Sequence, residues 1–194
     1  MDNNDILRRT RYALDFNDSK MMEIFALGGI KATREEISQW LKKDIDPDYV
    51  GLSGFQLSTF LNGLIVEKRG KKEGPLPIPE KQLNNNIILR KFKIALNLKD
   101  DDILDLLKLA DLEISKHELS AFFRKPGQEQ YRECKDQVLR NFLRGMQLKY
   151  REGQGAKNGG QGAKGREERA EGKERRAESR GQRAESEGKI KKVN

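Results

Sequence analysis

The chain has 194 residues, with 39 Lys and Arg against 31 Asp and Glu, a formal net charge of +8. Hydrophobic residues make up only 35%, and no window approaches the 18 apolar residues of a membrane span, so no membrane-crossing segment is expected. The averages hide a break near residue 150: residues 151–194 hold 13 basic and 8 acidic residues, 9 Gly and 7 apolar residues, too few to fold by burial, while 1–150 keep a charge of +3 and enough apolar residues for a small core.

Scarcity of chemistry narrows the function classes. Cys134 is the one cysteine, so no intrachain disulfide can form, and the start Met1-Asp2-Asn3-Asn4-Asp5 has no secretory character. A cytoplasmic location is the simplest expectation. His117 is the one histidine, and no nucleophile motif lies near it. A zinc site draws three or four ligands largely from Cys and His, so no metal and no other cofactor is expected. Among the function classes considered, an enzyme is the least expected.

The chain aligns with itself without a gap at an offset of 82, Asn3–Arg69 on Asn85–Arg151, with 18 of 67 positions identical. Each copy reads as four helices. The first covers about Asn4–Asp15 and Asn86–Asn97, its apolar residues Ile6, Leu7, Ala13 and Leu14 falling in one sector at 100° per residue. The second begins with Asp18 and Asp100 as N-caps and stops in the first copy at Gly28-Gly29. The third opens on a capping box in both copies, Thr33 with Glu36 and Ser115 with Glu118, and ends at Lys42-Lys43 and Arg124-Lys125. The fourth covers about Ser53–Lys68 and Glu129–Tyr150. Gly63 and Gly145, recurring inside it, point to a close helix–helix approach.

No stretch alternates as a strand does. The expected fold is therefore all-α: two tandem, homologous four-helix modules packed together, at 1–69 and 85–151, followed by a disordered low-complexity tail at 152–194. Between the modules, 70–84 carries Pro75, Pro77 and Pro79 in alternation, which favours an extended strap able to reach about 40 Å. In the tail, Arg-Ala-Glu recurs at Arg169, Arg176 and Arg183, a seven-residue period with no apolar seam for a coiled coil.

The doubled pattern Asn-Asn-x-Ile-Leu-Arg, then Ala-Leu, then a helix begun by Asp, then Phe-Leu-x-Gly resembles the bacterial YehS-like family of duplicated proteins, which carries a domain of unknown function. The resemblance covers about 1–150. It implies a bacterial cytoplasmic protein and lends no catalytic residues.

The residues that could bind are mostly cations. The first helix of each copy carries a basic triplet, Arg8, Arg9 and Arg11 and then Arg90, Lys91 and Lys93, which could present two faces to the phosphates of RNA or DNA without sequence preference. A solvated helix face is the simpler reading of such charges. The second and third helices could also form a helix-turn-helix with Arg34, Gln39 and Lys42 toward DNA, although the connection from Leu27 to Thr33 is long for one. Trp40, Phe122, Phe123, Tyr49 and Tyr131 are expected in packing, His117 in solvent, and Cys134 on an outer face. The leading expectation is a non-enzymatic nucleic-acid or regulatory binding module. The alternative is a protein–protein adaptor that uses the inter-module groove or the proline linker. Oligomeric state is not legible.

Overall fold

Six of the eight described α-helices start at a side chain that accepts from a free N–H group. Asp2 takes the Asp5 amide at the head of α1 (Asn3–Ala13), and Asn17 takes the Lys20 amide at the head of α2 (Asp18–Gly28). Thr33 with Glu36 and Ser53 with Gln56 close capping boxes on α3 (Arg34–Leu41) and α4 (Gly54–Arg69). The second copy repeats the order: α5 (Asn85–Ala95), α6 (Asp100–Leu109), α7 (Lys116–Phe122) and α8 (Asp136–Gln147), which runs into a π-helical turn at Leu148–Glu152. This computed structural model describes residues 1–71 and 73–152, and the tail from 153 onward lies outside them. Among the described residues there is no strand, and the chain is all-α.

Two boundaries differ from the sequence expectation. Asp18 and Asp100 stand in the first turn of their helices rather than at the cap; Asn17 caps α2, and at α6 the amide of Lys99 is held by the Asp102 carboxylate at 2.7 Å. The last helix starts at Asp136, not near Glu129. Gly127 (φ 87°) and Gln130 (φ 62°) take left-handed conformations that a right-handed helix cannot include. The stop at Gly29 is as expected: its φ of 104° turns the chain, and the Ile30 amide reaches back to the Phe25 carbonyl at 3.0 Å.

Close approach of helices explains the recurrent glycines. A Cβ on Gly63 would lie 1.8 Å from the Ile24 carbonyl oxygen, and one on Gly145 would lie 1.9 Å from the Leu106 carbonyl oxygen. Ile24 and Leu106 are themselves repeat partners, so α4 rests on α2 and α8 on α6 by the same contact. Gly28 meets the Thr59 carbonyl as closely; its counterpart Ala110 instead accepts a hydrogen bond from Asn141 Nδ2 at 3.1 Å.

The motif Asn-Asn-x-Ile-Leu-Arg is a clamp. Asn4, 2% exposed, donates to the carbonyls of Trp40 and Val50 and accepts from the Leu52 amide and the Tyr49 hydroxyl, so all four of its hydrogen-bonding positions are filled. Asn86 repeats this on Phe122, Arg132 and Cys134. Asn3 and Asn85 add bonds to the carbonyls of Leu52 and Cys134, both 2.9 Å. Each pair ties its first helix to the loop before its fourth, a segment with no ladder of its own to satisfy its backbone.

Residues 1–152 form one compact unit with a shared core, in which Phe25 packs on Trp40 and Phe60, and Phe92 on Phe142. The two modules meet reciprocally. Helix α5 lies on α4, and α1 lies on α8, each first helix on the fourth helix of the other copy. Met1 bonds Asp136 at one end of the second pair, and Arg151 donates to the Tyr12 carbonyl at the other, so α1 and α8 run parallel. This is the arrangement of a two-fold dimer, here held within a single chain.

Candidate binding surfaces at the module junction

All six cations of the first-helix triplets have partners inside the chain. Arg8 donates to the Lys42 carbonyl at the end of α3 (2.7 Å) and pairs with Asp5; Arg90 does the equivalent on the Phe123 carbonyl (2.6 Å). Cations suit these positions because carbonyls at a helix C-terminus carry partial negative charge. Arg9 pairs with Asp5 at 3.0 Å and Arg11 with Asp18 at 3.0 Å. Lys93 pairs with Asp100, and its ammonium stands 4.4 Å from the Phe123 ring centre. Lys91 is buried at 7% exposure rather than presented to solvent. The structure therefore divides the six among the α3 and α7 ends, the helix surfaces and the module junction, and does not gather them on one track.

Lys91 is buried because the linker folds back over it. From Gly70 the strap returns along α4: Asn62 donates to the Pro77 carbonyl, Glu80 bonds Ser58 through both its carboxylate and its amide, and Lys81 passes Gly54. The Lys91 ammonium then meets the Glu80 carboxylate at 2.9 Å and the Asn62 amide oxygen. Burial pushes the Glu80 carboxyl up, but hydrogen bonds from Ser58 and Lys91 outweigh it and hold it below the usual carboxylate value.

Beside this network the linker leaves an opening. A cleft of about 510 Å³ lies between the C-terminal halves of α4 and α5. Ile65, Val66, Ile94 and Leu98 line it, with Leu76 of the linker. Ile94 is 47% exposed and Leu76 38%. Arg69, Lys71 and Glu73 also line it, and Arg69 and Lys71 form no ion pair among the described residues. Such a space can take an apolar group and offer a cation to a neighbouring carboxylate.

Other expected positions resolve differently. Trp40 and Phe122 are buried, Tyr49, Phe123 and Tyr131 are half-buried, and His117 is exposed. Cys134 is not on an outer face: it is 4% exposed, and burial, with the nearby Asp136, pushes its thiol up to about 12. The repeat carried that signal, since Cys134 stands at the position of buried Leu52. In the helix-turn-helix reading, Lys42 is already paired with Asp46 and Asp48. Among the described residues no three His, Cys, Asp or Glu side chains converge as metal ligands. No described helix is long and apolar enough to cross a membrane.

The family model described as "Protein of unknown function (DUF1456)" matches twice, at residues 3–70 and 85–152. The chain is 45% identical over 153 residues to an "Uncharacterized protein YehS" of Escherichia coli (strain K12), covering 78% of this chain and 98% of that one. No solved structure matches.

Proposed function

The chain belongs to the DUF1456 family of proteins of unknown function, and we propose that it serves as a non-enzymatic, cytoplasmic adaptor that holds a short segment of a partner protein in the cleft between its modules. One observation carries this: at the junction of the two copies, half-exposed Ile94 and Leu76 face an apolar cleft whose lining carries two cations, Arg69 and Lys71, without an ion pair among the described residues, against one carboxylate, Glu73. An apolar anchor side chain followed by Asp or Glu matches both features. Selection of short peptides on the immobilised full chain should enrich that pairing, and the enriched peptides should lose about tenfold or more in affinity to the Ile94→Glu variant, since a carboxylate would replace apolar contact with repulsion. Enriched peptides that bind Ile94→Glu and Arg69→Glu as tightly as the wild type would sink the proposal.

A second reading, non-specific binding of RNA or DNA, is favoured by the surplus of basic residues in 151–194. It requires binding that weakens steeply with salt and disappears when the tail cations are replaced by Gln.

A further inference from the structure

The two module junctions are equivalent by the repeat but are finished differently. At the α4–α5 junction the linker lies on α4, and its Glu80 carboxylate is taken by Lys91 of α5 and Ser58 of α4, next to Asn62. An offset of 82 maps Ser58 to Arg140, Asn62 to Arg144 and Lys91 to Arg9. These three fall on the α1–α8 junction. The ends of that pair are fixed by Met1 on Asp136 and by Arg151 on Tyr12. Arg9 follows Met1 by as many residues as Arg144 follows Asp136, so the two stand at one level along the parallel helices.

Burial separates the two junctions as well. Ser58 and Asn62 are buried under the linker, whereas Arg140 and Arg144 are exposed. Arg9 is paired with Asp5, but Arg140 and Arg144 form no ion pair within 4.0 Å among the described residues. Arg140 has a 3.4 Å contact to the Gln137 side chain and lies near enough to Asp136, already bonded to Met1 and Asn85, to help lower its carboxyl pKa. Residues 153–165 follow α8 in sequence as the linker follows α4, and unlike the linker they contain no Asp, Glu or Pro.

We propose that the α1–α8 face, centred on Arg140 and Arg144, is a second docking surface that accepts an extended acidic segment of a partner protein, laid along α8 as the chain's own linker is laid along α4. The linker is the internal template: an extended backbone held by side chains of the fourth helix, with one carboxylate delivered to a cation of the neighbouring first helix. Two arginines in place of Ser and Asn raise the positive charge of the site and offer forked donors to carboxylates. The surface is separate from the cleft that lies between α4 and α5.

The test uses a fluorescently labelled peptide copying residues 74–83, Gly-Pro-Leu-Pro-Ile-Pro-Glu-Lys-Gln-Leu, and a version with two further Glu after the first. Anisotropy is read at low salt against the full chain and against an Arg140→Gln/Arg144→Gln double variant, so that the tail is identical in both. The expected result is tighter binding of the Glu-rich peptide, a loss of about fivefold or more in the double variant, and an unchanged circular dichroism spectrum. The Ile94→Glu variant, which puts a carboxylate into the cleft, should bind these peptides as the wild type does. Equal affinity of wild type and double variant for both peptides overturns the proposal. So does a double variant that loses a single-stranded oligonucleotide but keeps the peptide, which would assign the arginines to phosphate.

Discussion

Substituting Ala for Gly63 sets two effects against each other. Alanine favours a helix interior over glycine by about 1 kcal/mol, so the isolated helix gains. In the folded chain, however, the new methyl would sit 1.8 Å from the Ile24 carbonyl oxygen. The obstacle is backbone, which cannot swing aside as a side chain can. Helices α2 and α4 would have to separate by more than an ångström, and overpacking of that kind costs about 1–3 kcal/mol or more. With a rigid backbone obstacle the cost falls at or above the upper end, leaving a net loss of about 2 kcal/mol. At a typical urea slope of about 2 kcal/mol per molar, the unfolding midpoint falls by about 1 M. Gly145→Ala should do the same through Leu106, while Gly51→Ala, with nothing within 4 Å, should leave the midpoint nearly unchanged. A midpoint that rises in Gly63→Ala would show that propensity decides and that the contact between α2 and α4 is not as close as described.

Three further outcomes follow from the same contacts. Asn4→Ala would strand the buried backbone groups of Trp40 and Leu52, each worth about 1–3 kcal/mol when unpaired, and free the part-buried Val50 carbonyl, so calorimetry should show a loss of at least about 2 kcal/mol; under 1 kcal/mol would contradict the clamp. Because the folded pKa of Glu80 lies below its ordinary value of 4.5, its contribution to stability is present above about pH 4.5 and is lost as pH falls through the lowered value; Glu80→Gln should flatten that part of the stability–pH curve, and an unaltered slope would refute it. Buried Cys134, its thiol raised to about 12, should react slowly with a thiol reagent in the native chain and rapidly in urea; fast native labelling would contradict its burial.

Local signals carried most of the architecture. The capping boxes at Thr33 and Ser115, the stop at Gly29 and the paired glycines all rest on interactions within a few residues or on a repeated position, and the repeat at offset 82 exposed them twice. What escaped depended on distant partners. Nothing near Lys91 announces that a strap 11 residues earlier brings Glu80 over it, and nothing near Arg8 announces the Lys42 carbonyl. The repeat itself carries two of the differences: Cys134 aligns with apolar Leu52, and Asp136 aligns with Gly54, the first residue of α4. The cleft needed the fold, because its walls come from two copies and the linker together.

The claim that the inter-module cleft is the binding element is tested most directly by mapping where a selected peptide touches the full chain. Two-dimensional amide NMR spectra recorded with increasing peptide should show shifts concentrated at Asn62, Val66, Arg69, Ile94 and Asn97, which line the cleft. Shifts confined to the helix surfaces around Arg8, Arg11 and Arg90, with those five residues unmoved, would contradict it.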